Sequence, residues 1–197
     1  MTKVDLGIIL DSSGSLSKDY DKEKDFLKEL ASSFGVSDDG SRVGVVTFSS
    51  NSEHSIKLKD HVDFVSFNNA VDKIPLMGST TRIDKAFRLS QNELLSVSNG
   101  ARPGVPKILV LLTDGSQTPE IGSEDPGDIA DEIRKSGIKM IVVGVGQGID
   151  KKELVDIAGG QDSVFLAKSF NQLISVPFVE KFLDKSCKKG WYITFQP

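Results

Sequence analysis

Asp11-Ser12-Ser13-Gly14-Ser15 directly follows the apolar run Val4 to Leu10, and the way these two pieces join decides the fold. The run is long enough for a buried strand and too short to span a membrane. The segment beyond, from about Asp19 to Phe34, carries Tyr20, Glu23, Leu27, Leu30 and Phe34 at spacings of three and four. Phe26 and Ala31 widen that stripe, which reads as one face of an amphipathic helix. A carboxylate and two hydroxyls at alternate positions therefore stand on a loop between a strand and a helix. In an open α/β sheet that loop is at the carboxyl end of the strand, where ligands bind. Oxygen-only groups suit a hard cation, and Mg²⁺ favours few carboxylates, several waters and an open place for a partner's oxygen.

Outward from this start, strands alternate with helices. Arg42 to Phe48 is a valine-rich strand, and His54 to Leu58 reads as a short edge strand joined to it by a hairpin through Ser49-Ser50-Asn51-Ser52. A short helix covers Val62 to Ile74, with Pro75 ending it. A helix from near Arg82 buries Ile83, Ala86, Phe87, Leu94 and Val97. Lys107 to Thr113 reads as a strand buried on both faces. Asp125-Pro126 starts a helix that Gly137 closes. Lys139 to Val145 is another apolar strand, and Asp150-x-x-Glu153 reads as a variant capping box for the helix ended by Gly159-Gly160. Ser163 to Leu166 is a last strand. Ser169 is expected to cap a terminal helical segment that Pro177 must kink or divide. The pattern predicts an α/β fold: a doubly wound, mostly parallel sheet with helices on both faces.

Three loops, in order, resemble the von Willebrand factor type A domain: Asp11-x-Ser13-x-Ser15, Thr81 after Gly78-Ser79-Thr80, and Leu112-Thr113-Asp114-Gly115. The resemblance runs from about Val4 to Cys187. It implies a six-stranded sheet with one short antiparallel edge strand, a domain over 1–187 and a tail or linker over 188–197. It also implies a metal-ion-dependent adhesion site. Ser13 and Ser15 would ligate Mg²⁺ directly, Asp11 and Asp114 would act mostly through water, and Thr81 would ligate when a partner is bound; Mn²⁺ or Ca²⁺ would substitute. Thr80 competes for the threonine position; relatives usually carry a small residue five positions and a large apolar residue six positions after the ligating threonine, which Ala86 and Phe87 match from Thr81, so the resemblance favours Thr81. Taken singly, each motif is an ordinary turn or helix cap; their joint order and placement carry the reading.

Composition sets bounds. The chain has 197 residues, 38% hydrophobic and 26% charged, with a formal charge of −4. This fits one soluble domain and gives no electrostatic footprint for nucleic acid. No run of apolar residues is long enough for direct membrane insertion. No signal peptide is read before the first strand, so the chain is intracellular or a fragment of an extracellular protein, and the resemblance favours the fragment. There is no Asn-x-Ser/Thr glycosylation site. Cys187 has no intramolecular partner and is read either as an intermolecular disulfide or as a free thiol. His54 and His61 stand apart and are read as surface residues. Gly144-Val-Gly146-Gln-Gly148 does not match a dinucleotide fingerprint. With no nucleophile elbow, general base or phosphate cradle, the chain is not expected to be an enzyme.

The stretches Gly146-Gln-Gly148-Ile149-Asp150-x-x-Glu153-Leu154 and Gly78-Ser79-Thr80-Thr81-Arg82-Ile83-Asp84-x-Ala86 look like matrix and adhesive-protein members of the family. This implies an extracellular Mg²⁺-dependent adhesion module that binds a Glu or Asp carboxylate of a matrix protein, such as collagen or another glycoprotein. Only Gly146 to Ile149 fills the gap where collagen-binding integrin domains carry an extra helix, so that mode of collagen recognition is not expected. An intracellular scaffold, or a subunit of an ATP-driven complex, is the alternative. Lys18, Arg82, Glu120 and Glu124 lie on or beside the metal loops as candidates for tuning partner choice, or as solvated charges.

Overall fold

The computed structural model describes residues 3–186; Cys187 and the segment 188–197 lie outside the described residues. The elements run β1 (Asp5–Asp11), α1 (Tyr20–Phe34), β2 (Arg42–Phe48), β3 (Ser52–Ile56), α2 (Phe64–Asp72), α3 (Ile83–Leu89) and β4 (Lys107–Thr113). Then follow α4 (Pro126–Lys135), β5 (Lys139–Val145), α5 (Lys151–Ala158), β6 (Val164–Ala167), α6 (Phe170–Leu173) and α7 (Val176–Ser186). Six strands form one sheet in the order β3-β2-β1-β4-β5-β6. All neighbours are parallel except β2 and β3, which pair antiparallel with a bulge between Val45 and Val46.

Alternation along the strands divides the core. Leu6, Ile8 and Leu10 of β1, with Val110 and Val143, face α1, α2, α6 and α7. Ile9, Leu109, Leu111 and Val142 face α3, α4 and α5 on the other side. Both faces being covered explains why the central strands read as unbroken apolar runs. Phe178 and Phe182 of α7 meet Phe26 of α1 and Phe165 of β6 edge-on or tilted. α7 also packs on the 3-10 turn Gln161–Ser163 at the amino end of β6, so it runs back from the carboxyl ends of the strands to their amino ends. At that same end, buried Asp5 accepts hydrogen bonds from the backbone N–H and guanidinium of Arg102.

Several local expectations shift. The edge strand is Ser52–Ile56 rather than His54–Leu58, because Ser52 and Glu53 already pair with Phe48 and Thr47. The helix from Arg82 is not continuous: α3 ends at Leu89, a π-helical turn occupies Ser90–Leu94, and a 3-10 turn occupies Val97–Asn99. The turn sends Leu94 into the core and leaves Val97 71% exposed, against expectation. Leu94 enters a hollow over Gly7 and Gly44, which face each other in register; a methyl on Gly44 would lie 2.7 Å from Leu94 Cδ1.

Asp125 caps α4 as expected, accepting from Gly127 and Asp128 N–H. Asp150 caps α5, but Glu153 does not complete the box and instead accepts from the N–H of Gln117. Ser169 makes no capping bond, and the terminal segment divides at Ile174 and Ser175, placing Pro177 in the first turn of α7. His54 is not a surface residue: its side chain is 12% exposed with Nε2 3.2 Å from Glu93 Oε2. His61 is half-buried, edge-on to Phe67.

Candidate metal centre

The loops after β1 and β4 meet at the carboxyl end of the sheet, on either side of the point where strand order reverses. Such a point leaves a crevice, because the loops from the two neighbouring strands turn to opposite faces. Asp11 closes β1 and is fully buried. Its Oδ1 accepts from Ser13 N–H at 2.9 Å and its Oδ2 from the Thr113 hydroxyl at 2.6 Å, so one carboxylate ties the two strand ends together. Ser13 Oγ lies 3.1 Å from Ser15 Oγ, and Ser15 Oγ donates to Asp114 Oδ1 at 2.9 Å. Asp11, Ser13, Ser15 and Asp114 thus form one connected polar chain.

The loop bearing Thr81 is fastened to this chain through its backbone. Gly78 N–H donates to Ser12 carbonyl oxygen and Gly14 N–H to Ser79 carbonyl oxygen. Ser12, a buried residue between two candidate ligands, accepts from Met77 N–H through its hydroxyl at 2.7 Å. Ser79 has φ of 74°, a left-handed conformation rare outside glycine, and follows Gly78 in the same region. Thr81 exchanges bonds with Thr118: its N–H donates to Thr118 Oγ1, and Thr118 N–H donates to its carbonyl oxygen. A methyl on Gly115 would sit 3.8 Å from Thr81 Oγ1, so the Thr81 hydroxyl faces the loop that carries Asp114. Thr80 Oγ1 instead donates to Glu120, away from that chain.

The electrostatics are those of acids lacking a counter-charge. Burial pushes Asp11 up to about 6, against the pull of the Thr113 and Ser13 hydrogen bonds, and the charge of Asp114 adds to the rise. Burial also raises Asp114, with the Ser15 hydrogen bond opposing it. Glu23 on α1 is fully buried, and neither carboxyl oxygen has a hydrogen-bond partner among the described residues. Burial holds it well above the usual carboxylate range, and the charges of Asp11, Asp114 and Asp19 push it further.

Arg82 is not the exposed tuning charge of the sequence reading. It is buried, forked onto Asp84 through Nε and Nη2, with Nη1 on Glu120. Burial opposes ionisation of Asp84, yet the bonds from Arg82 and Gln117 outweigh it and hold the carboxyl far below its ordinary value. This network braces Thr81 from behind. Lys18 is exposed. Sequence reasoning gave no role to Ser12, Thr113, Thr118 or Gln117. Ser12 and Thr113 stood inside quoted motifs and Thr118 and Gln117 did not, but all four work through partners remote in the chain.

The chain is 33% identical over 172 residues to the collagen alpha-6(VI) chain of Mus musculus, covering 87% of this chain and 7% of that protein. It is 30% identical over 191 residues to Matrilin-2 of Mus musculus, covering 94% and 19%. With von Willebrand factor A domain-containing protein 2 of Xenopus laevis it shares 29% over 171 residues, covering 86% and 21%. It therefore spans about a fifth or less of the length of these relatives. Among solved structures, proximal thread matrix protein 1 from the mussel byssus, with a zinc-occupied MIDAS motif, superposes with a TM-score of 0.83 at 28% identity. That match covers 94% of this chain and 46% of the other. Residues 5–177 match the profile of the von Willebrand factor type A domain, and the chain belongs to that family.

Proposed function

We propose that this chain is a divalent-cation-dependent, non-enzymatic protein-binding module of the extracellular matrix type. Mg²⁺ would be held by Ser13, Ser15 and Thr81, with Asp11 and Asp114 orienting water around it, and Mn²⁺ or Ca²⁺ would substitute. The observation that carries this reading is the connected chain Asp11–Ser13–Ser15–Asp114, faced by the Thr81 hydroxyl. Adjacent ligands of an octahedral Mg²⁺ lie about 2.9 Å apart, given metal–oxygen distances of about 2.0–2.1 Å. The 3.1 Å between the Ser13 and Ser15 hydroxyls suits that edge. Asp11 and Asp114, pushed toward protonation and without an ion-pair partner among the described residues, suit a site that a cation completes.

A cation with few direct carboxylate ligands keeps an open position and most of its charge, and so attracts a carboxylate from outside. The protein's part is to present the hydroxyls, fix the two aspartates and leave that position facing solvent. The partner would be a matrix protein, collagen or another glycoprotein, offering a Glu or Asp. The link between β5 and α5, Gly146 to Asp150, contains no helix, so the extra-helix mode of collagen binding gets no support here.

The test is binding to an immobilised panel of matrix proteins in Mg²⁺ and in EDTA, with Asp114→Ala beside the parent. Binding lost in both EDTA and the variant is the expected result. Binding that persists in both would show the contact to be independent of the cation.

A further inference from the structure

A cleft of about 440 Å³ opens beside the metal loops, lined among others by Asn51, Arg82, Lys85, Arg88 and Glu124. Its walls belong to the same end of the sheet as the candidate metal centre. Asn51 follows the carboxyl end of β2, Arg82 follows Thr81 directly, and Glu124 stands on the loop that begins at Asp114.

The charges in this cleft are unequally matched. Arg82 is neutralised by Asp84 and Glu120, and Arg88 by Glu124 and Glu132. Lys85 has no carboxylate partner among the described residues. Its half-buried ammonium donates only to the Ser50 carbonyl oxygen at 2.5 Å and to Asn51 Oδ1 at 3.0 Å, both neutral acceptors. An ammonium has three donors, so one remains for an incoming group.

We propose that this cleft is a second subsite for the same partner: it receives a second carboxylate of a segment whose first carboxylate reaches the cation. The inference rests on the cation-bridged reading above and narrows the partner to a protein segment with two acidic side chains. With Arg82 and Arg88 already matched by Asp84, Glu120, Glu124 and Glu132, the single ammonium of Lys85 suits one carboxylate rather than an extended polyanion such as a sulfated glycan.

The experiment uses acetylated, amidated peptides with one glutamate or with two glutamates separated by one to five glycines. They are titrated in Mg²⁺ against ¹⁵N-labelled protein and followed by NMR. The expected result is that the best two-glutamate peptide binds about threefold or more tighter than the one-glutamate peptide, the scale of a single well-placed ion pair. Its added shifts should fall at Ser50 to Ser52 and Lys85. Lys85→Ala should collapse that ratio and Lys85→Arg should keep it, with thermal melts confirming that both variants fold. Equal affinities for the two peptides, or an advantage that survives Lys85→Ala, would overturn the proposal, as would failure of every peptide to bind. EDTA and Asp114→Ala separate the two ideas. If they leave binding unchanged the cation reading fails, whereas the response of the ratio to Lys85→Ala decides the cleft.

Discussion

A carboxyl group buried without a hydrogen-bond partner weakens the fold around it, because it gives up hydration and receives nothing in return. Glu23 is in that position, with like charges on Asp11 and Asp114 nearby. Glu23→Leu should therefore raise the unfolding free energy by about 1–3 kcal/mol at neutral pH, read by urea denaturation. The sign with pH follows from the raised ionisation. Below the ordinary glutamate range the group is protonated in both states and the penalty of ionising it is absent. As pH rises from there through the folded value, the parent loses stability. The gain from Glu23→Leu should thus be larger at pH 7 than at pH 4, and a gain that shrinks with pH would refute this account. Helical spacing showed that Glu23 sits on the buried stripe. Its isolation was not legible, since the groups around it arrive from two remote strand ends. Arg82 was illegible for the same reason, with Asp84 two residues away but Glu120 on another loop. Asp11, Ser13, Ser15 and Asp114 were legible as neighbours because each is tied to a strand end, and the sheet brings those ends together.

At the level of elements the positions of β1, β2, β4 and β5 followed from apolar runs, whereas the edge strand β3 shifted by two residues and the helix after Thr81 broke where no local signal predicted it. A π-helical turn holds one residue more than an α-helical turn and so re-aims the side chains that follow. Here it delivers Leu94 to the hollow over Gly7 and Gly44. Glycine inside a strand marks a close approach of this kind, but which side chain approaches is a tertiary fact. Gly44→Ala puts a methyl 2.7 Å from Leu94 Cδ1 and 3.1 Å from both Ile56 O and Leu58 N. Two of these neighbours are backbone and cannot give way cheaply, so the variant should lose about 1–3 kcal/mol. A denaturation midpoint equal to the parent's would show that the hollow relaxes.

Taken as a whole, the sheet presents the candidate metal loops at one end, and a cation bound only by the folded chain would stabilise it. The gain is about 2.7 kcal/mol when free cation reaches a hundredfold its dissociation constant. Asp11 adds a pH dependence. In the cation-free protein its raised ionisation, to about 6, means that protons and cation compete below that value. Cation-free stability falls as pH rises from the ordinary aspartate range through about 6, where ionised Asp11 lacks a counter-charge, and the cation supplies what is missing. The melting-temperature increment from Mg²⁺ should accordingly be larger at pH 7.5 than at pH 5, and absent in Asp114→Ala; equal increments at both pH values would argue against the site. The doubly wound layout was legible from strand–helix alternation, while the strand order, with β1 and β4 central, depends on pairings far apart in the chain.

The course of α7 has its own consequence. Because it runs back to the amino ends of the strands, Val4 and Ser186 both lie at the end opposite the candidate metal loops. Copies strung in series would therefore be tethered from behind, every recognition face left unshaded. Contacts each held by one or two carboxylates would then gain strength through avidity, limited by linker reach rather than by the chemistry of any single site.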